Sequence, residues 1–360
     1  MVKAVVVHEL DGTPEVCDVA LAPVGSGDVR IRIAAAGVCH SDLSMVNGTV
    51  AAQFPVVLGH EASGVIAEVG SDVTTVAVGD RVVLNWAAPC RQCWFCQAGE
   101  PWLCKVVEGV TTLSRGSLAD GTPLNHCMGV GAFAEEVVLP ETSVVPLPQG
   151  VPLELGALMG CAVLTGVGAV RNTAGVRAGE SVLVIGLGGI GLSAVMGAKL
   201  VGANTIIAVD VSPEKEELAR AAGATHFLLS DPKLHKHIRS LTEGRGADHA
   251  LECVGAAATI RMAWSSVRRG GSCTIVGVGR KEQEVTFNPL ELFHFSRTIN
   301  SSIYGASDPE RDIPVIAEEV LTEQLDLAAL ITHRISLDEV GVAFERMKSG
   351  QGARSVIKLG

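Results

Sequence analysis

The first 150 residues contain short apolar runs that are separated by turn residues. Strand-length runs occur at 29–33, 65–69 and 81–84, and glycine and aspartate occur in the breaks at 25–28 and 78–80. Short runs with frequent turn signals are typical of antiparallel strands. The pattern predicts a β-rich domain with a bent or barrel-like sheet, whose loops are suited to holding polar ligands.

From about residue 160 the pattern changes to continuous apolar strands that alternate with helices. Strands are predicted at 181–185, 205–209, 227–229, 249–253 and 273–278. One helix runs to about Val201 and stops at Gly202; the next has Ser212 as N-cap and Pro213 in its first turn, and ends at Gly223. This α/β alternation predicts a parallel, doubly wound sheet.

The domain boundaries follow from these two patterns. A proline-rich stretch at 140–152 closes the first part, and the alternation of strands and helices fades after about 304. We place one domain at 1–160 and the second at 161–303, and expect 304–360 to fold back onto the first.

Composition narrows the class of partner. The 360 residues are 48% hydrophobic and carry 28 basic and 39 acidic side chains, a formal charge of −11. This acidic balance argues against nucleic acid or an anionic membrane as the main partner. The sequence shows neither a signal-peptide pattern nor a long uninterrupted apolar run, so we expect a cytoplasmic protein. In such a protein the cysteines that have metal-ligand spacing are expected to act as ligands, not bridges.

Four cysteines form a C-x2-C-x2-C-x7-C cluster, namely Cys90, Cys93, Cys96 and Cys104. Four thiolates from one short loop are the ligands of a closed, tetrahedral structural zinc. Disulfides, free thiols and an iron–sulfur cluster are the alternatives, but the bacterial ferredoxin run ends in a shorter C-x3-C-P spacing. The spacing therefore favours zinc.

A glycine-rich turn joins the 181–185 strand to the helix that follows it, and its six residues are Gly186, Leu187, Gly188, Gly189, Ile190 and Gly191. This G-x-G-x-x-G pattern binds a dinucleotide pyrophosphate at the helix N-terminus when it lies between a strand and a helix. Asp210 ends the next strand, near the spacing at which a carboxylate meets the ribose hydroxyls. Because that carboxylate would repel a 2′-phosphate, NAD is favoured over NADP.

A second metal site is predicted from residues that lie far apart in the chain. Cys39, His60 and Cys161 each lie in a turn-prone setting of small residues, and two thiolates with one imidazole leave a coordination position open. Taken singly, the two cysteines are more often small buried hydrophobes. Glu61 is either an alternate ligand or, as we favour, a supporting neighbour, and Asp42 is suited to accept the free ring N–H of His60.

Together these motifs resemble, over essentially the whole chain, the zinc-dependent medium-chain alcohol dehydrogenases. The resemblance rests on the segments at 37–42 and 59–64, the cysteine quartet, Gly160–Cys161 and the glycine turn, all in the family's order. It implies a GroES-like catalytic domain and a Rossmann coenzyme domain, with the active site in the cleft between them. It also implies two zinc ions per subunit. The catalytic zinc would be held by Cys39, His60 and Cys161, and the structural zinc by the cysteine quartet. Two cysteines and one histidine are this family's known catalytic ligand set.

The resemblance also assigns cofactor contacts. Lys215 would contact the adenosine ribose, and His40 and Arg354 would face the pyrophosphate. The nicotinamide end would be lined by the segment 253–255 and by Val276, Gly277 and Val278. For Lys215 and Arg354, an ordinary surface cation is the alternative.

The implied reaction is reversible hydride transfer between an alcohol and NAD, with zinc stabilising the alkoxide and Ser41 accepting the alcohol proton. Many family members carry a histidine five residues after the first zinc cysteine, whereas this chain has Ser44 there. We therefore name no general base beyond Ser41.

The substrate pocket is the least constrained part. Trp86 falls where the family places a pocket aromatic, which favours primary over bulky secondary alcohols; a core tryptophan is the alternative. Phe133, with Leu113 and Met128, is expected to line the outer pocket. An adduct of formaldehyde with a thiol remains an alternative substrate, although Val50 replaces the acid of the glutathione-dependent members, which leaves mycothiol open.

The length of the insertion at 110–130 resembles the dimeric members, so we expect a homodimer paired through the cofactor-domain sheets. A non-enzymatic NADH-binding relative is the remote alternative. It would tolerate the loss of Cys39, His60 or Ser41, all of which are present.

Overall fold

The structure is a computed structural model that describes residues 1–108 and 114–359 of the chain. Its strands, in chain order, are β1 Val2–Val7, β2 Glu15–Leu21, β3 Asp28–Gly37, β4 Val56–Val57, β5 Ala62–Val69, β6 Arg81–Leu84, β7 Ser114–Leu118, β8 Pro123–His126, β9 Glu136–Pro140, β10 Val144–Pro146, β11 Ser181–Ile185, β12 Thr205–Asp210, β13 His226–Leu229, β14 Ala247–Glu252, β15 Val267–Ile275, β16 Thr298–Ser301, β17 Ile331–Ile335 and β18 Arg354–Lys358.

The α-helices are shorter in the first part of the chain than in the second. They are α1 His40–Val46, α2 Trp94–Gln97, α3 Lys105–Glu108, α4 Leu153–Leu158, α5 Leu164–Gly168, α6 Gly189–Leu200, α7 Lys215–Ala222, α8 Leu234–Leu241, α9 Ala257–Ser266, α10 Pro289–Phe295, α11 Pro309–Leu321 and α12 Val340–Lys348. Wider π-helical turns, Met159–Val163 and Ala169–Ala174, flank α5.

The chain divides into two compact units. Unit 1 comprises Met1–Ala162 and Asp308–Gly360, and unit 2 comprises Val163–Ser307. The C-terminal segment thus packs with the N-terminal part of the chain.

Unit 1 is β-rich, as the short apolar runs predict. Five of the described strands close a barrel in the order β1-β2-β7-β8-β4, and a second sheet has the order β10-β6-β5-β3-β18-β17, with β9 also paired to β3. Along β3, Ile31 and Ile33 alternate with more exposed residues and are almost fully buried in the core. Because β18 pairs antiparallel with the end of β3, the C-terminal strand lies directly beside Gly37 and the start of α1.

Unit 2 has the predicted doubly wound architecture. Its six described strands are parallel in the order β13-β12-β11-β14-β15-β16. The strand order reverses at β11, and such a switch point at the carboxyl ends of the strands is where this architecture binds ligands. The predicted fold class, a β-rich GroES-like domain with a Rossmann domain, is confirmed.

Two local predictions in unit 2 need correction. Helix α7 begins at Lys215, not at Ser212, because the Ser212 backbone N–H donates to the Asp210 carboxylate (3.0 Å) and is held in the turn that leaves β12. The predicted strand 273–278 ends at Ile275, since the N–H groups of Val276 and Gly277 both donate to the Glu252 carbonyl and so leave the ladder of the sheet.

A half-buried carboxylate joins three strands of unit 2. Asp248, at the start of β14, accepts hydrogen bonds from the backbone and hydroxyl of Ser181 in β11 and from Arg268 in β15 (2.5 Å to Nε). Burial alone would raise the pKa of Asp248, but these hydrogen bonds outweigh it and lower the pKa to about 2. The ionised form of Asp248 therefore stabilises this end of the sheet.

One continuous helical stretch among the described residues, Leu153–Ala174, is long and apolar enough to cross a membrane. Its 22 residues have a hydropathy of 1.8, but 83% of the apolar window is buried inside the protein. A core helix of a water-exposed fold passes the same test, so this stretch is no sign of a membrane span.

Candidate functional site

The first candidate ligand, Cys39, lies at the junction of β3 and α1. Its backbone N–H donates to Asp42 Oδ2 (2.9 Å) inside the first turn of α1, and this fixes the entry into the helix. The Cys39 thiol contacts the hydroxyl of Ser41 (Sγ–Oγ 3.8 Å), so the predicted proton acceptor lies beside the first ligand.

The loop after β4 places His60 in the interior of unit 1. Gly59 has a φ of +94°, and a side chain there would overlap the backbone and ring of Phe133. The His60 ring is fully buried, and its Nδ1 bonds to Asp42 Oδ1 (2.9 Å). This bond fixes the tautomer, because Nδ1 must carry the proton that faces the carboxylate, and Nε2 then carries the lone pair.

Cys161 lies within the π-helical turn Met159–Val163, whose wider backbone changes the direction of successive side chains. Glu61 Oε2 accepts from the Ala162 backbone N–H (3.2 Å) and from Arg354 Nη2 (3.0 Å). Arg354 Nη1 in turn donates to the Val38 carbonyl (2.8 Å). A buried ion pair thus ties the π-helical turn and β18 to the segment before Cys39.

These elements bring Cys39, His60, Glu61 and Cys161 into one buried cluster. One ligand atom from each lies within 4.8 Å of the others. His60 Nε2 is buried and has no hydrogen-bond partner within the described part of the chain, and the same holds for Glu61 Oε1. Because an orphaned buried nitrogen is costly unless it binds something, the donor set fits a metal. Two thiolates with one imidazole suit zinc and balance its charge.

The electrostatics of the cluster also favour a cation. The hydrogen bond from Cys161 lowers the pKa of the Cys39 thiol well below its ordinary value. Burial by itself lowers the pKa of His60, but the facing carboxylate of Asp42 outweighs it and raises that pKa. Burial raises the pKa of Glu61 to about 7, although Arg354 opposes the shift. The hydrogen bond to Cys39 raises the pKa of the Cys161 thiol well above its ordinary value, so the two thiols share a proton in a dry interior, at the place that a divalent cation would take.

The cysteine quartet forms the second cluster, with the sulfurs of Cys90, Cys93, Cys96 and Cys104 within 4.8 Å of one another. Cys93 Sγ lies 3.6 Å from Cys96 Sγ and 3.9 Å from Cys104 Sγ. Four sulfurs at about 2.3 Å from a tetrahedral zinc are about 3.8 Å apart, so this loop already has the dimensions of a zinc site. Backbone N–H hydrogen bonds from Cys96 and Lys105 lower the pKa of the Cys93 thiol to about 6.

The glycine turn of unit 2 lies between β11 and α6 at the switch point of the sheet. A side chain at Gly191 would overlap the Gly186 carbonyl oxygen, whereas nothing lies within 4 Å of the position that a Cβ of Gly188 would take. Asp210 Oδ2 accepts from the Leu187 N–H (2.7 Å) and braces the turn. The open space above Gly188, at the N-terminus of a 12-residue helix, fits a dinucleotide pyrophosphate.

The other predicted cofactor residues lie just after β15 or at the first residue of α1, α7 or β18. Lys215 is buried in the first turn of α7, and burial lowers the pKa of its ammonium group. Val276 is buried and Val278 exposed just after β15, and His40 is exposed at the start of α1. Arg354 has contacts that the sequence did not predict, because its guanidinium is buried among Glu61, Val38 and the cluster thiols.

The predicted pocket residues have different environments. Trp86 is half-buried and packs against the core of unit 1. Phe133 has no exposed surface and packs in the core of unit 1 against Gly59. Leu113 lies outside the described residues, and Met128 is half-buried.

One contact of the site escaped the sequence analysis. Cys127 Sγ lies 3.4 Å from Asp42 Oδ1 and 3.8 Å from His60 Nδ1, in a fully buried position. No spacing rule connects Cys127 to Asp42 or His60, because it comes close to them only when the barrel closes. The thiol fills the space behind the Asp42–His60 pair.

Comparison with known proteins extends over both units. Residues 25–149 match the family described as "Alcohol dehydrogenase GroES-like domain", and residues 189–320 match "Zinc-binding dehydrogenase". The chain is 38% identical over 356 residues to an S-(hydroxymethyl)glutathione dehydrogenase of Escherichia coli, which covers 96% of each chain.

Solved structures show the same likeness. A zinc-binding alcohol dehydrogenase domain protein from Burkholderia ambifaria has a TM-score of 0.93 and 31% identity, over 100% of this chain and 99% of that one. The benzyl alcohol dehydrogenase of Acinetobacter calcoaceticus has a TM-score of 0.92 and 28% identity, over the same shares of the two chains.

Proposed function

The chain belongs to the zinc-dependent medium-chain alcohol dehydrogenase family, and we propose that it oxidises primary alcohols to aldehydes with zinc and NAD. The observation that carries the proposal is the buried cluster of Cys39, His60 and Cys161. The imidazole Nε2 of His60 has no partner among the described residues, and the Ser41 hydroxyl lies 3.8 Å from the Cys39 thiol.

In this proposal the two thiolates and the imidazole hold the metal, which supplies Lewis acidity, while the dinucleotide supplies the hydride acceptor. Asp42 holds the His60 ring in the ligating tautomer. Glu61 Oε2 is taken up by Arg354 and the Ala162 N–H, and Oε1 lies against the backbone of Gly37, so these contacts favour a supporting role for Glu61 over ligation. Ser41 takes the alcohol proton at its hydroxyl oxygen and passes its own proton on toward the cofactor ribose.

A second candidate substrate is the adduct of formaldehyde with a thiol. It is favoured by the 38% identity to the S-(hydroxymethyl)glutathione dehydrogenase of Escherichia coli, a protein whose name states that substrate. A primary alcohol and a thiol adduct both present a CH2OH carbon, so the same site chemistry serves both. The glutathione-dependent members carry an acid where this chain has Val50, so we rank a simple primary alcohol above the thiol adduct as the substrate.

NAD as the cofactor rests on Asp210. Its carboxylate ends β12 beside the glycine turn, and no arginine follows it in the next four positions to receive a 2′-phosphate. The preference is measured as the ratio of kcat/KM for NAD and NADP. A ratio above ten for NAD agrees with the proposal, and a ratio below one contradicts it.

We also propose a homodimer and a cytoplasmic location. Strand β16 is an edge of the unit 2 sheet, and exposed apolar side chains lie on and beside it, including Ile299 (41% exposed) and Phe293 (84% exposed). A second copy would cover them, which light scattering measures directly. Six of the ten cysteines belong to the two proposed zinc sites, and this use of cysteine is typical of a reducing compartment.

The test is NADH formation with ethanol, hexanol, benzyl alcohol and 2-propanol, and with formaldehyde in the presence and absence of glutathione or mycothiol. Turnover of the primary alcohols supports the first proposal, and turnover only with formaldehyde plus thiol supports the second. Ser41→Ala should lower kcat by about 100-fold, a typical contribution of proton transfer. Ser44→Ala, a matched change three residues along α1, should leave kcat unchanged. If no substrate is turned over, the result would favour the remote alternative, a non-enzymatic NADH-binding protein.

A further inference from the structure

A third group of metal-ligating side chains lies on the surface of unit 1, away from both clusters described above. It comprises His8, Glu15 and Cys17, whose ligand atoms all lie within 4.8 Å of one another. His8 and Glu15 are exposed and Cys17 is half-buried, so the group is accessible to ions from solution.

The β1–β2 hairpin brings these three side chains together. Glu15 and Cys17 are two residues apart in β2 and therefore point to the same face of the sheet. The antiparallel register pairs Val6 with Glu15, and His8 continues the alternation of Ala4 and Val6 onto that face. Strand β1 also pairs with β4. Two of the three ligands thus lie on a paired strand, and the third directly follows one.

The distances agree with a tetrahedral zinc. Cys17 Sγ lies 3.9 Å from His8 Nε2. With Zn–S of about 2.3 Å and Zn–N of about 2.0 Å, the two ligand atoms of a tetrahedral site are about 3.6 Å apart. A shift of a few tenths of an ångström, within the freedom of two surface side chains, would close this edge of the site.

The charges also agree with a divalent cation. Burial and the carboxylates of Glu15 and Asp18 raise the pKa of the Cys17 thiol, so this thiol loses its proton only as the metal binds. The thiolate and the Glu15 carboxylate then neutralise a dication, and the imidazole adds a neutral nitrogen. The Asp120 carboxylate interacts electrostatically with His8 and adds negative potential. Lys3, the nearby cation, is already paired with Asp18 (2.8 Å).

We propose that His8, Glu15 and Cys17 form a third, surface zinc site, with solvent in the fourth coordination position. One sulfur, one nitrogen and one oxygen favour zinc or cobalt over magnesium or calcium, which prefer oxygen ligands. The segment between the two strands is also bonded to the end of α1, since the Asp11 N–H donates to the Val46 carbonyl (2.8 Å). An ion at this site would therefore stabilise residues 8–14, the loop that joins β1 to β2 and contacts the end of α1.

The test uses the zinc-loaded protein, so that the two proposed zinc sites, at Cys39–His60–Cys161 and at the cysteine quartet, are full before Co2+ is added as the probe. The proposal expects one further Co2+ per chain and a near-ultraviolet absorption band from thiolate-to-cobalt charge transfer. Cys17→Ser should abolish the band, and His8→Gln should weaken Co2+ binding at least tenfold. Glu9→Gln, a change of an exposed acid beside His8 that is not in the group, is the matched control and should bind as the unchanged protein does.

Two results would overturn the proposal. One is metal analysis that finds no third ion per chain at saturating Co2+. The other is a charge-transfer band that persists in Cys17→Ser, since the thiolate bound to Co2+ would then belong to one of the two proposed zinc sites. Circular dichroism of each variant confirms that the fold is intact, and all three changes lie at exposed or half-buried positions.

Discussion

The replacement Asp42→Asn tests the reasoning about the buried cluster most directly. Asp42 has no exposed surface, and every polar group that faces its carboxylate is a donor. Oδ1 accepts from His60 Nδ1 (2.9 Å) and the Gly59 N–H (3.2 Å), and lies 3.4 Å from Cys127 Sγ, while Oδ2 accepts from the Cys39 N–H (2.9 Å). Asparagine has the same shape but replaces one of the two oxygens by an NH2 group.

The magnitude follows from that inventory. If the amide oxygen keeps the Oδ1 position, the NH2 group faces the Cys39 N–H, and two buried donors lose their partner. Each unsatisfied buried donor costs about 1–3 kcal/mol. Removing the carboxylate behind a ligating histidine typically weakens metal binding by about 10–100-fold, or about 1.4–2.7 kcal/mol. We therefore expect zinc at the proposed catalytic site to bind at least tenfold more weakly.

The assay is competition between the protein and a chromogenic chelator, read as zinc released per chain. In Asp42→Asn one zinc should leave at a lower chelator concentration, while the zinc of the cysteine quartet is released as before. Asp72→Asn changes an exposed aspartate that bonds to Ser71, and it should release both ions as the unchanged protein does. Equal affinity of both zinc ions in Asp42→Asn and the unchanged protein would refute the role given to this carboxylate.

Three further predictions concern the other parts of the molecule. Gly191→Ala should destabilise the protein and abolish NADH binding, because the alanine side chain would overlap the Gly186 carbonyl. Gly188→Ala should raise KM for NAD about tenfold and leave the melting temperature unchanged, because the space at Gly188 is open. Equal melting temperatures for the two variants would contradict this. Cys93→Ser should remove one zinc per chain and lower the melting temperature, which metal analysis and calorimetry measure together; two zinc ions in the variant would count against the quartet. Asp248→Asn should lower the free energy of unfolding by about 1–2 kcal/mol at pH 7. The pKa of Asp248 is about 2 in the folded protein, whereas ordinary aspartate titrates near 3.9. The difference in unfolding free energy between the two proteins should therefore persist above pH 4 and narrow as the pH falls toward 2. A difference that does not change with pH would contradict this.

Parts of this architecture could be predicted because their signal is local. The strand 81–84 and the strand 181–185 are found at those residues, and Gly223 ends α7 with a φ of +113°. The start of α7 could not be predicted, because the Asp210 carboxylate holds Ser212 in the preceding turn. Helix-start signals describe local preference, and a carboxylate from the preceding strand overrides it here.

The sequence by itself determined the groups whose members lie close together in the chain. The quartet from Cys90 to Cys104 and the glycine turn from Gly186 to Gly191 need only a short loop to bring their atoms together, so spacing alone identifies them.

Tertiary structure alone decided the contacts that join distant segments. Arg354 reaches Glu61 across 293 positions because β18 pairs with β3, and Cys127 reaches Asp42 because the barrel closes. It also decided that Phe133 is a core residue, and that His8 lies beside Cys17 through the register of the hairpin. Such neighbours depend on strand order and register, which burial of the whole apolar surface selects and which no single segment encodes.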